Sequence, residues 1–207
     1  MKRLFLFFSL VYLFSNILSA QDRTFDAGLV VGFNMSQIDG DALGGVWTGY
    51  NRIGVAAGGR VQFDFAEKWK MGFELLFSQL GSARNKYDGG SDYDKIRLNM
   101  VEVPVTISFM DWLSEGNDED FYRVGFNGGL TYGRIINYEV ILLTGEDVSE
   151  RKDYNNNLLM LHLGFTYNIN ENFGITALWT KGLNDIDKDE GEYLISRQIT
   201  LKGVYYF

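Results

Sequence analysis

Cysteine is absent from the chain. An exported protein of this composition therefore holds its fold without disulfides, and a cysteine-linked lipid anchor is excluded. Beyond residue 20 no apolar run approaches the ~20 residues a membrane-crossing helix needs. Proline occurs once, at Pro104, and histidine once, at His162. Cationic residues are outnumbered, 19 Lys and Arg against 27 Asp and Glu. No basic patch with interleaved aromatics offsets that balance, so a nucleic-acid partner is not expected.

What is present begins with "MKRLFLFFSLVYLFSNILSA". Two cations, an apolar stretch and a close on Ser19-Ala20 read as a secretory signal peptide over residues 1–20, with a retained anchor helix as the alternative. Residues 21–207 then form one domain. The 17 cations left after cleavage face all 27 acids, a formal net charge of −10. Aromatics and glycines are abundant, a composition suited to many strands.

Side chains alternate with a period of two over long stretches. In "TFDAGLVVGFNMSQ" Phe25, Ala27, Leu29, Val31, Phe33 and Met35 fall on one face, with glycine or polar residues on most of the other. The pattern recurs over Ile53–Phe65, Trp69–Gln79, Tyr93–Phe109, Phe121–Asn137, Leu158–Asn168, Phe173–Thr180 and from Ile195 to the final Phe207. Eight strands of this length suit a tilted bilayer crossing of roughly 9 to 11 residues better than a soluble sandwich. Aromatics gather toward the strand ends of the apolar face, as in interfacial girdles. The expected fold is therefore all-β, an eight-stranded antiparallel up-and-down transmembrane barrel. Connections after strands two and six are tight, whereas those after strands one, three, five and seven are long and acidic. That alternation predicts outward loops and periplasmic termini.

A turn centred on Glu67 predicts facing pairs Asp64–Lys70 and Arg60–Glu74 inside, and Phe65–Trp69 and Val61–Phe73 outside. The same exercise about Asn170 pairs Tyr167 with Phe173 and Phe165 with Ile175. In strand four the apolar positions switch from even (Ile96, Leu98, Met100) to odd (Val101, Val103, Val105), which predicts a β-bulge beside Pro104.

"LNMVEVPV" is similar to a motif of the PorT-like outer-membrane barrels of Gram-negative bacteria. "GFNMSQIDGD", "YNRIGVAAGG", "KGLNDI" and the terminal "GVYYF" resemble the same family. The resemblance implies an eight-stranded outer-membrane barrel whose last aromatic is read by the barrel-assembly machinery. The eponymous member is implicated in type IX secretion, a role that the fold alone does not transfer.

For chemistry, His162 points inward but lacks the serine two residues on that lipid A deacylases carry; position 164 is Gly. Glu102 is the other candidate acid. Catalysis is not expected at either, although a lipid-modifying enzyme and a narrow solute channel remain alternatives. Arg52, Arg60, Asp64, Lys70, Glu74, Glu102, Arg123 and Lys202 are expected to pair inside a lumen only wide enough for side chains. "DIDKDEGEYLIS" (185–196) has calcium-loop spacing at its start but the wrong residues later, so no metal or cofactor is expected. Trp47, Tyr50, Tyr93 and Tyr154 are aromatic residues of the outer loops able to bind a membrane protein partner, to dip toward the headgroups or to pack over the barrel mouth. The acidic connection around Trp112 faces the periplasm and is the candidate for a periplasmic protein partner. The apolar wall itself would meet outer-membrane lipid and lipopolysaccharide.

Overall fold

A computed structural model describes residues 25–40, 49–84, 93–117, 120–151, 154–186 and 194–207. The alternation of period two becomes eight strands: β1 (Phe25–Asp39), β2 (Arg52–Ala66), β3 (Trp69–Ala83), β4 (Tyr93–Ser114), β5 (Phe121–Leu142), β6 (Asn157–Asn168), β7 (Phe173–Gly182) and β8 (Ile195–Tyr206). Each pairs antiparallel with its sequence neighbours, and β1 pairs with β8 to close the ring. Closure leaves no edge strand with unpaired backbone groups, the condition for burying a sheet in lipid.

The stagger follows from the registers. Ala27 faces Val61, then Phe73, Val105, Leu130, Leu161, Lys181 and Arg197, which faces Gln37. The circuit therefore returns to β1 ten residues from its start (27 to 37), so the strands must tilt strongly. Termini and short turns share one rim, here the terminal rim. The four long connections share the other, the loop rim.

The β2–β3 hairpin keeps the expected pairs Asp64–Lys70, Arg60–Glu74 and Val61–Phe73. One pair differs: a one-residue shift after Asp64 sets Ala66 rather than Phe65 opposite Trp69, with the two rings still 6.4 Å apart. At the β6–β7 turn the register is two residues off the expectation, with Tyr167 facing Ile175 and Phe165 facing Ala177. Asn170 lengthens this turn, its Oδ1 accepting the N–H groups of Asn172 and Phe173 at 3.1 and 2.7 Å.

The bulge expected on β4 at Met100–Val101 is absent. Ile96, Leu98, Met100, Glu102, Thr106, Ser108 and Met110 all point inward, in unbroken phase. The register shift lies on β5 instead: Asn99 faces Asn137 and Met100 faces Ile135, so Ile136 is the extra residue. Pro104 is accommodated without a bulge. It pairs with Thr131 of β5, while the ladder to β3 passes from Phe73–Val105 to Leu76–Glu102, skipping the positions around it. A missing N–H explains that gap.

The lumen is stratified along its length. Polar and charged side chains fill the terminal half and the middle. Toward the loop rim the interior turns apolar, with Leu80, Leu98, Met100, Leu158, Met160 and Val140 at 0–1 % exposure. Connecting segments complete this plug, contributing Val148, Tyr154, Ile186 and Leu194. The β5–β6 connection folds back because Val148 donates to the Val140 carbonyl and Ser149 Oγ accepts the Val140 N–H. In the same turn Asp147 accepts both the N–H and the hydroxyl of Ser149, and these bonds hold its carboxyl below the usual carboxylate range.

Candidate functional site

The expected charge network exists in part. Glu74 of β3 lies at its centre, with Oε1 2.9 Å from Arg60 Nη1 and Oε2 2.5 Å from Lys202 Nζ. All three side chains are at most 5 % exposed. Arg60 is the direct cross-strand neighbour of Glu74, whereas Lys202 reaches it across the lumen from β8. Gly72 makes room for the guanidinium, since a Cβ there would sit 3.0 Å from Arg60 Nη2.

Glu102 lies beyond this triad toward the plug, bonded by Ser78 and Gln198, with its Oε1 unpartnered. Removing its charge while keeping one carbonyl oxygen should cost little, because a buried unpaired carboxylate oxygen contributes desolvation rather than stability. Glu102→Gln is expected to stay within ~1 kcal/mol of the parent in urea unfolding. A loss of several kcal/mol would show that the carboxylate charge is needed.

The remaining predicted members sit elsewhere. Lys70 bridges Asp64 at 3.1 Å and Asp26 at 3.6 Å at the terminal mouth, and the Asp64 side chain is half-exposed. Arg123 is not in the network at all. It donates to Ser114 Oγ at 2.7 Å and lies over the Phe121 ring at 5.4 Å. Arg52 stands at the loop end of β2, with a buried Nε lacking a partner. Neutral partners that charge counting overlooks complete the packing. Asn34 donates to Ser78 and accepts from Thr200, while Asn127 links Ser108 to Thr166. Their signal is a short polar residue at an inward position of each strand.

His162 is fully buried, with Thr106 Oγ1 3.0 Å from Nε2 and Thr131 Oγ1 2.9 Å from Nδ1. Both ring nitrogens are occupied by threonine hydroxyls, so neither is hydrogen-bonded to a carboxylate that would orient the ring as a general base. Below the triad the lumen opens at the terminal rim into a cavity of about 390 Å³, lined by Gln62, Lys70, Asn127, Thr166 and Tyr206 among others.

The outer wall has the reverse chemistry. Leu29, Val31, Leu75, Leu130, Leu161, Leu163 and Ile175 are 36–67 % exposed. An aromatic cluster marks the terminal rim, where Phe25, Phe63 and Phe73 adjoin, Trp69 meets Phe109 at 5.1 Å and Tyr205 meets Phe207 at 5.9 Å. An apolar surface encircling the whole molecule is incompatible with a water-facing exterior and fits lipid. A family model described as "Outer membrane protein beta-barrel domain" matches residues 19–188.

The chain belongs to that family.

Among solved structures, this outer-membrane barrel is similar to the Neisserial surface protein A, at 12% identity over 90% of this chain and 100% of the other, with a TM-score of 0.50. It is also similar to Ail, the attachment invasion locus protein of Yersinia pestis, at 15% identity over 88% and 98%, with a TM-score of 0.46. At such identities the likeness concerns the fold alone. No curated protein matches the chain.

The loop aromatics of the barrel do not form one surface. Tyr154 is 2 % exposed, its ring tilted against that of Tyr138 at 5.0 Å within the plug, so it closes the mouth rather than offering a contact. Tyr50 drapes back toward the wall, its hydroxyl accepting from Trp179 Nε1 at 3.3 Å. Tyr93 opens β4 opposite Leu142, and Trp47 and residues 187–193 lie outside the described residues.

Proposed function

We propose that this outer-membrane barrel is a closed, non-catalytic accessory or binding subunit, acting through the face formed by its long connections. In this reading the loops face outward, the termini are periplasmic, and the terminal Phe207 serves the barrel-assembly machinery as an insertion tag. Kinship with the PorT-like barrels, and with it membership of a larger outer-membrane assembly such as a secretion system, is part of the same proposal. One observation carries it: the lumen is obstructed twice, by the Glu74 triad and by the apolar plug. A filled interior leaves the rims and the outer wall as the surfaces available for function.

The test is a mild-detergent pull-down of the tagged chain from its native membrane, read by mass spectrometry. A stoichiometric protein partner is the expected result; recovery of the barrel alone would overturn the accessory role. Two companion measurements address the alternatives. The purified chain is expected to show no single-channel conductance in planar bilayers, whereas steps above background would favour a channel. His162→Ala is expected to leave lipid A and phospholipid composition unchanged, and a lost lipid modification would favour the enzyme.

A further inference from the structure

The cavity at the terminal rim is lumen that neither the triad nor the plug fills, and its wall offers acceptors more than donors. Asn168 Nδ2 donates to the Tyr122 carbonyl at 2.7 Å, and Asn172 Nδ2 to the Tyr206 carbonyl at 3.4 Å. A backbone carbonyl can only accept, so both amides are fixed with Oδ1 as the atom left over. Asn168 Oδ1 lies over Gly174, on the inner face of β7. Deeper in, Gln62 donates to Asp26 at 2.9 Å and Asn127 to Thr166 at 2.8 Å.

Charge is equally one-sided. Asp26, Asp64, Asp120 and Glu171 line the cavity against two cations, Arg60 and Lys70. Arg60 is spent on Glu74, and Lys70 is shared between Asp26 and Asp64. The nearby Arg123 is held by Ser114 and Tyr167. Among the described residues Asp120 and Glu171 take part in no ion pair. A cleft lined by one sign of charge focuses its field and draws in the opposite ion. Among the described residues no three acids come together as a metal site, so the matching ligand carries several donors on an organic cation.

The hairpin that gives Met110, Asp120, Phe121 and Tyr122 to the cavity also carries an apolar pair outside it. Trp112 and Leu113 are 62 and 57 % exposed. Along β4 the exposed Lys68–Asp111 ion pair, at 2.9 Å, stands between them and the aromatic girdle at Trp69 and Phe109. They lie past the apolar wall, on the water side of a charged layer. Trp112 holds a left-handed backbone, φ 62°, which bulky side chains rarely adopt. We infer that the terminal rim docks a basic segment of another protein. A lysine or arginine side chain enters the cavity toward Asp120 and Glu171, and apolar residues beside it pack on Trp112 and Leu113. Charge complementarity selects the partner, and the exposed tryptophan is the kind of anchor that carries interface energy. This adds a second face to the loop face; only its compartment, the periplasm, rests on the proposed function.

The experiment uses the full chain, refolded in a neutral detergent and checked by its heat-modifiable gel shift. Fluorescence anisotropy follows a labelled Lys-Leu-Lys-Leu-Lys peptide, with empty micelles and a Glu-Leu-Glu-Leu-Glu peptide as blanks. Only the basic peptide is expected to bind above the blanks. Asp120→Asn with Glu171→Gln is expected to weaken binding by about tenfold or more, and Trp112→Ala by about fivefold. Glu146→Gln with Glu150→Gln, an equal change of charge at the opposite rim, is expected to change nothing. Parental binding by the Asp120 and Glu171 variant, or an equal loss in the loop-rim variant, would overturn the cavity as the site. Full binding by Trp112→Ala, or spermidine binding as tightly as the peptide, would overturn the protein partner in favour of a free amine. The assay needs neither the native membrane nor an orientation, so its failure is distinct from a failed pull-down.

Discussion

Glu74→Gln is expected to destabilise the barrel by about 3–5 kcal/mol, the range for breaking a buried ion pair by removing one partner. Lys202 and Arg60 both lie against this carboxylate, at 2.5 and 2.9 Å, in a lumen that admits almost no solvent to either. Neutralising Glu74 leaves two cations facing one another, with Glu102 near Lys202 and Asp26 near Arg60 as more distant counter-charges. The amide can still accept from one cation, but its NH2 group is turned toward the other. Urea unfolding followed by the gel shift measures the loss. Double variants separate the two terms: Glu74→Gln with Lys202→Met should recover a substantial part of the stability, because it removes a buried charge along with its missing partner. An unchanged midpoint for Glu74→Gln alone would mean that the triad contributes no net stability.

Leu98→Ala should cost about 2–5 kcal/mol, as large-to-small changes at rigid core sites do. Leu98 is fully buried in the plug, among inward side chains of β3, β4 and β6 and the connecting segments folded over them. A closed ring of strands constrains how far the walls can collapse into a void, which places the cost toward the upper part of that range. Leu143→Ala supplies the contrast. Leu143 is 49 % exposed just beyond β5, and its truncation should stay within about 0.5 kcal/mol. If both variants unfolded together with the parent, the plug would be loosely packed and the obstruction of the lumen would need another cause.

The same plug explains which parts of the molecule were legible in the sequence. Eight strands and their parity through the membrane follow from alternation, because there lipid lies on one side and polar packing on the other, and the tight turn at Glu67 adds most of the β2–β3 register. The inward charges at Arg60, Glu74 and Lys202 were readable by that rule. At the loop end both environments invert. Ile96, Leu98 and Met100 are apolar and inside, while Lys95 and Arg97 are charged and outside. Alternation changes phase at Met100–Val101 with no extra residue at that point of β4, which is why sequence suggests a bulge there. Hydrophobicity reports contrast between the faces, not which face is inside. Tyr154 was misplaced by the same logic, since a loop residue in an acidic stretch carries no mark of the apolar interior it enters. The two-residue error at the β6–β7 turn has a separate source, the side-chain bonds of Asn170. The outward cations did leave a trace, as charged residues interrupting an apolar face.

The bond between Lys202 and Glu74 joins residues 128 positions apart, across the seam where β1 meets β8. A chain that has formed its first seven strands still carries Glu74 and Arg60 but lacks the second cation. That intermediate has an open lumen and a central salt bridge short of its last member. Arrival of β8 then supplies three things together: the backbone partners of β1 and β7, the ammonium for Glu74, and the threonine that bonds Asn34. Closing the ring and completing the buried ion network are thus a single event, because both wait on the same strand.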